Sequence, residues 1–225
     1  MKLRKLVRRA FYAPSPVPRW IADRFHKLYY YQRERTWRNT RWMGTEVLKC
    51  PLDLWIYQEL LHELRPDLIV ETGTAFGGSA AYLASLCDLQ GHGRIVTIDA
   101  KEREGRPTHP RITYLTGRST DAGIVAQVEA MVRPGDRVLV LLDSDHSERN
   151  VLAELRTYHG LVSVGSYCVV EDSNVNGHPV AREHGPGPME AIRAFLRENE
   201  AFEIDREREK FFLTFNPSGF LKRIE

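Results

Sequence analysis

The sequence predicts an α/β fold, a doubly wound and mainly parallel seven-stranded sheet with an N-terminal helical extension. Three observations carry that expectation. Strand-like and helix-like patterns alternate from about residue 50 onward. The first strand runs into a glycine-rich turn, "IVETGTAFGGSA" at 69–80. Polar residues of unusual kind then recur just after each strand. Alternating β and α elements require right-handed crossovers, and these produce a parallel sheet with helices on both faces.

Residues 1–50 stand apart by charge. They hold 13 Lys+Arg against 3 Asp+Glu, although the whole chain of 225 residues carries a net charge of only +2. We therefore divide the chain into a basic, aromatic arm (1–50) and a larger, mildly acidic domain (51–225). "APSPVPRW" at 13–20 predicts a hinge between a short basic helix and a second helix. Trp20, Phe25, the tyrosines at 29–31, Trp37 and Trp42 interleave the basic residues. Helices packed on the domain explain such a pattern. So does a surface for anionic lipid or a phosphorylated carrier, and the aromatics also suit packing on a second subunit. Nucleic acid is the weaker partner, since no recognition motif accompanies the charge.

The domain elements follow in order. "PLDLWIYQELLHEL" (51–64) has Pro51 and Asp53 at its start and an apolar stripe at helical spacing. "PDLIVETG" is a buried strand, "GSAAYLASLCDL" a helix closed near Gly91, and "RIVTIDA" the second strand. "ITYLTG" is the third strand, "AGIVAQVEAMV" a helix and "DRVLVLLDSD" the fourth strand. "NVLAELRTYHGLV" is a helix ending at His159, and "SYCVVEDSN" is the fifth strand. "GPMEAIRAFLREN" is the last helix, and "FEIDRE" with "FFLTFNPSGFLKR" (211–223) reads as a terminal strand pair. Residues 173–192, rich in Gly and Pro, read as a lid that carries His178 and His184.

Composition excludes some classes. No apolar run reaches the roughly 18 residues of a membrane span, and Arg8 and Arg9 interrupt a would-be signal sequence. Cys50, Cys87 and Cys168 lack metal-ligand spacing and read as reduced, buried thiols. The expectation is a cytoplasmic protein, with the inner membrane face as the arm's alternative address.

Ligands of doubly wound sheets bind beyond the carboxyl ends of the strands. Glu71, Gly73, Gly77 and Gly78 fall there after the first strand, and Asp99 after the second. The third runs into "TGRSTD" (116–121), the fourth into Asp143, Asp145 and His146, and the fifth into Glu171 and Asp172. Asp99 lies 26 residues after Gly73, where an acid accepts hydrogen bonds from a ribose. A carboxylate beside the first turn repels a diphosphate and suits an amino or sulfonium cation. S-adenosylmethionine (SAM) meets both demands, and G-x-x-x-G-G departs from the G-x-G-x-x-G of nicotinamide sites.

"TRWMGTEVLKCPLDLWIYQELLHELRPDLIVETGTAFGGSA", with "TIDAK", "LLDSDHS", "VVEDSN" and "NPSGFLKR", resembles the cephalosporin hydroxylase/rhamnosyl O-methyltransferase family over roughly residues 40–223. That resemblance implies the Rossmann-like class I SAM-dependent methyltransferase fold and an O-methyltransferase of a sugar, glycan or glycosylated natural product. It assigns Glu71, Gly73, Thr74, Gly77 and Ser79 to the cofactor turn and Asp99 to the ribose. By the same resemblance Gly117 and Ser119 would lie near the adenine, and Asp143, Glu171 and Asp172 match a divalent metal site. Independently, three converging carboxylates need a cation, and oxygen donors suit a hard ion such as Mg2+.

The mechanism expected is metal-assisted methyl transfer, with Asp143 a ligand, His146 the general base, and a small-molecule or saccharide acceptor, lipid- or carrier-linked in one version. Two rivals come from other classes. "HSE" (146–148) has the form of a nonheme iron site completed by His159, His178 or His184. A non-catalytic scaffold with this fold is the other.

Overall fold

A computed structural model describes residues 16–225. The basic helix expected ahead of the proline-rich stretch lies outside them. Helix α1 (Pro16–Tyr31) takes in half of the expected hinge. Its prolines fall in the first turn, where backbone N–H groups have no intrahelical acceptor and a missing donor costs nothing. No helix among the described residues is long and apolar enough to cross a membrane.

A small hairpin, β1 (Arg41–Trp42) and β2 (Thr45–Glu46), follows. Two-residue strands leave no periodicity to detect, so the hairpin is not expected from sequence. Helix α2 (Pro51–Leu64) begins with proline and ends at Arg65, whose φ of 47° breaks the helix before Pro66. Then come β3 (Leu68–Thr72), α3 (Gly78–Gln90), β4 (Arg94–Asp99), β5 (Ile112–Thr116), α4 (Ala122–Met131) and β6 (Val138–Leu142). The chain continues through α5 (Glu148–Tyr158), β7 (Tyr167–Val170), α6 (Pro188–Glu198), β8 (Phe202–Ile204) and β9 (Phe220–Arg223).

The seven-stranded sheet has the order β5-β4-β3-β6-β7-β9-β8, with β9 antiparallel to both neighbours. The strand order reverses between β3 and β6, which pair in parallel with Thr72 opposite Leu142. That reversal opens a crevice at their carboxyl ends.

Alternation along β3 serves two layers. Leu68 and Val70 join one apolar cluster with Val140, Leu155 and Phe195. Ile69 joins the other with Leu60, Leu83 and Leu141. Period-two geometry therefore turns Glu71 toward the layer that holds α2 and α3. Both central strands are wholly buried, so their sequences are continuous apolar runs.

The terminal strand pair is shorter than expected. A 3-10 turn (Arg206–Glu209) follows β8, and the strand predicted over 211–223 is confined to Phe220–Arg223. Leu213 and Phe215 leave the sheet because they pack with Tyr29, Tyr30 and Trp37 instead. The Phe215 ring stacks on His26 at 5.6 Å and meets the edges of Tyr29, Tyr30 and Trp37. Much of the aromatic content of the basic segment is thus spent on docking it to the domain. The three cysteines are buried free thiols. His159 caps α5, its Nδ1 lying 3.1 Å from Leu155 O.

Residues 173–192 are not a free lid. Val175, Val180 and Ala181 are buried and pack with Tyr30. Asn174 N donates to Phe215 O, and Ala181 N donates to the Tyr31 hydroxyl.

Candidate active site

The first turn is built by close backbone approach. Gly73 has a φ of 89°, and its N–H donates to Ile98 O at 2.8 Å. A Cβ on Gly73 would come within 1.8 Å of Asp143 O, so only glycine fits between β3 and the residue after β6. Beneath the turn runs a hydroxyl chain. Thr97 Oγ1 donates to Glu71 Oε2 at 2.6 Å and, having one proton, accepts from Thr74 Oγ1 at 2.7 Å. Glu71 is fully buried, and burial raises its pKa while Lys49 opposes the rise. Glu71 Oε1 and Ser79 Oγ are buried, and the Ser79 hydroxyl beside the Glu71 carboxyl works against the rise in its pKa.

Asp99 sits at the rim. Its Oδ2 accepts from Ala75 N at 2.8 Å and Arg106 Nη2 at 3.0 Å, and its Oδ1 from Lys101 N at 3.0 Å. After β5, Gly117 adopts a φ of 156°, and the Ser119 hydroxyl donates to the buried carboxyl of Glu154. Ser144 Oγ donates to the same Glu154 oxygen at 2.7 Å. Asp121, by contrast, starts α4 and lies off the cleft.

The acids after β6 and β7 converge on cations from this chain. Lys49 Nζ lies 2.5 Å from Asp143 Oδ2 and 2.6 Å from Glu171 Oε2, and is itself 4% exposed. Burial alone lowers the Lys49 pKa, but Asp143, Glu171 and Glu71 together hold the ammonium well above its usual range. His146 spans the other side, with Nε2 3.2 Å from Asp143 Oδ1 and Nδ1 3.4 Å from Asp172 Oδ2. Burial lowers its pKa, yet Asp172, Asp143 and Glu171 outweigh that and raise it to about 9. Burial pushes Glu171 and Asp172 upward, whereas Lys49 and His146 overcome burial and hold Asp143 low. One ligand atom each from Asp143, His146 and Asp172 lies within 4.8 Å of the others. Glu171 Oε1 is buried, with the Tyr57 hydroxyl beside the carboxyl.

A cleft of about 700 Å³ joins these groups. Gly73, Asp99, Gly117, Ser119, Asp143, His146 and Asp172 line it, as do Tyr30 and Trp37. Glu71, Thr74, Gly77, Ser79 and Glu171 do not line it. Glu71 was expected to face a cationic ligand at the turn; strand alternation places it below, against Thr97. The metal set Asp143, Glu171 and Asp172 is brought together, though Glu171 reaches it behind Lys49. Lys49, Arg106 and Glu154 were missed. Lys49 stands 94 residues from Asp143 in an irregular segment, where a lone lysine reads as solvated. Its one signal is its place in "LKCPLDLW", inside the stretch that carries the family resemblance.

A larger hollow of about 850 Å³ lies between α1, residues 177–179, α6 and residues 204–218; His178 lines it, but no residue of the cofactor turn or of the acid cluster does. The iron-site reading is not favoured. His178 pairs with Glu190 at 2.8 Å, the His159 ring packs on Phe195, and His184 lines the cleft but lies outside the metal-ligand group of Asp143, His146 and Asp172. The single candidate metal group among the described residues holds one histidine rather than two.

Comparison with known proteins agrees with this architecture. The chain is 41% identical over 221 residues to a rhamnosyl O-methyltransferase of Mycobacterium tuberculosis, spanning 95% of this chain and 88% of that protein. It is 41% identical over 210 residues to that of Mycobacterium leprae, covering 90% of each. Among solved structures, an apo form of CmcI superposes with a TM-score of 0.65 at 24% identity, over 84% of this chain and 77% of that one. An O-methyltransferase from Bacillus cereus in complex with SAH gives 0.52 at 17% identity, over 85% of this chain and 84% of that one. These likenesses establish the class I methyltransferase fold. The family model described as Rhamnosyl O-methyltransferase/CmcI matches residues 34–224, and the chain belongs to that family.

Proposed function

We propose that this protein is a SAM-dependent, divalent-metal-assisted O-methyltransferase whose acceptor is a sugar hydroxyl, with a rhamnosyl group the first candidate because its 41%-identical relatives carry that name. One observation carries the reading: a single cleft at the β3/β6 reversal holds the glycine turn and Asp99 on one side and Asp143, His146 and Asp172 on the other.

The residues fit both groups. Gly73 lets a ligand approach the turn, and Asp99, whose carboxylate already accepts from Ala75 N, Lys101 N and Arg106 Nη2, lines the cleft with one acceptor direction left for a ribose hydroxyl. Asp143, Asp172 and the buried Glu171 Oε1 offer hard oxygen donors, which suit Mg2+. SAM supplies an electrophilic sulfonium methyl, and a bound divalent ion lowers the pKa of a coordinated hydroxyl. The chain's own part is to hold and deprotonate. His146 is the side chain placed to take the acceptor's proton. In the ligand-free protein it is charged at neutral pH, held so by Asp172 and Asp143. A cation held by Asp143 and Asp172 would take from His146 the partners that raise its pKa and would leave the imidazole free to accept a proton. Tyr30 and Trp37 give the acceptor an aromatic wall.

The same reading extends to a lipid- or carrier-linked acceptor. α1 leaves Trp20, Phe25 and Leu28 half exposed, and the Arg24 guanidinium lies 4.5 Å from the centre of the Trp20 ring. Apolar and basic side chains so mixed suit an anionic headgroup surface. The test is transfer of a labelled methyl from SAM to a panel of rhamnosides and other glycosides, with Mg2+ and with chelator. Metal-dependent labelling of a sugar hydroxyl is expected; labelling that ignores chelator, or none on any glycoside, overturns the reading.

A further inference from the structure

Lys49 belongs to no element of the sheet, yet it lies among the strand-end acids. It takes one oxygen from Asp143 and one from Glu171, at 2.5 and 2.6 Å. The second oxygen of Glu171 is buried and meets no cation among the described residues, only the Tyr57 hydroxyl lying beside that carboxyl, and the second oxygen of Asp143 faces His146 at 3.2 Å. Asp172, the third acid, is not touched by Lys49 and pairs with His146.

A carboxylate with one oxygen engaged by an ammonium has one oxygen left for an ion. This matters for selectivity. Mg2+ demands near-ideal octahedral geometry with single-oxygen donors, whereas Ca2+ takes more ligands and accepts both oxygens of one carboxylate. We propose that Lys49 is a positioning and specificity-determining residue that keeps Asp143 and Glu171 to one donor oxygen each, so that the cluster favours Mg2+ over Ca2+. The inference rests on the metal-assisted reading above. Lys49 also offsets the repulsion among acids that must sit together before any ion arrives.

The experiment titrates the full chain, carrying no added SAM, with Mg2+ alone and with Ca2+ alone by calorimetry. Wild type is expected to prefer Mg2+. Lys49→Met should reduce that preference at least about tenfold, chiefly through tighter Ca2+ binding, because both carboxylates become free to chelate. Lys49→Arg, which keeps charge and N–H donors, should stay near wild type. Removing a buried partner leaves uncompensated charge and can unfold the chain. The charge-balanced pair Lys49→Met/Glu171→Gln therefore accompanies it. It should also lose the preference, since Asp143 is released, whereas Glu171→Gln alone should bind more weakly and keep it. An unchanged Ca2+/Mg2+ ratio in folded Lys49→Met, or the same ratio in the double variant as in Glu171→Gln, overturns the role of Lys49 alone. Wild type that binds neither ion overturns the metal-assisted reading and this inference with it.

Discussion

Gly73 and Asp143 touch through their main chains: a methyl group on Gly73 would lie 1.8 Å from Asp143 O. The residue that opens the nucleoside turn thus also fixes the height of the first acid after β6. The two halves of the cleft are mechanically joined.

Gly73→Ala is the direct check. Its φ of 89° disfavours any side chain, and the clash with backbone cannot be relieved by a rotamer change. The expected result is loss of both SAM binding and Mg2+ binding in a chain that still folds, measured by separate titrations. Loss of only one would show that the two sites move independently.

Asp99→Ala should weaken SAM by about 1.5–3 kcal/mol, the worth of a hydrogen bond to a charged group. Part of that loss reflects Arg106, whose guanidinium would be left without its 3.0 Å partner. Arg106→Ala should therefore weaken SAM less than Asp99→Ala does. Equal affinities in wild type and Asp99→Ala would place the ribose elsewhere.

Asp143→Ala should abolish metal-dependent turnover and leave SAM affinity within a few fold. Full activity of that variant in chelator would remove Asp143 from the chemistry.

His146 should titrate near pH 9 in the ligand-free protein, well above its ordinary 6.5, and Asp172→Asn should bring it down. The sign for stability follows from that direction. A group raised on folding adds stability that is complete below about 6.5 and is lost as pH climbs through about 9. His146→Gln should flatten the unfolding free energy across that window, read by urea denaturation at a series of pH values. A wild-type imidazole titrating near 6.5 by NMR would contradict the bridged geometry.

Phe215→Ala should detach α1 from the domain, at roughly 3–5 kcal/mol for a buried aromatic. Four rings converge on Phe215, so limited proteolysis should cut near residues 31–40 in the variant first.

The sheet was legible because its signals are local. Buried strands such as 68–72 are unbroken apolar runs, and α2 declares its start with Pro51 and its end before Pro66. Asp99, Asp143 and Asp172 could be found because each ends a strand or follows one within two residues. What escaped was non-local. Lys49 meets Asp143 across 94 residues of chain, and Glu154 serves Ser119 from the middle of a helix. The orientation of Glu71 escaped for a subtler reason. Its position at a strand end was plain, but which face of the sheet it takes depends on which apolar layer claims Ile69. Leu213 and Phe215 misled in the opposite sense, their alternation suggesting a strand although their partners are α1 aromatics.

The seam suggested by charge at residues 50 and 51 has a consequence for trimming this chain. A fragment that begins at Pro51 keeps every strand of the large sheet but gives up the buried ammonium two positions earlier, along with the hairpin whose Glu46 carbonyl abuts Gly78. Such a fragment has a full backbone topology and an anionic hole at its centre. For this protein the smallest unit that folds around its own charges starts upstream of where its architecture does.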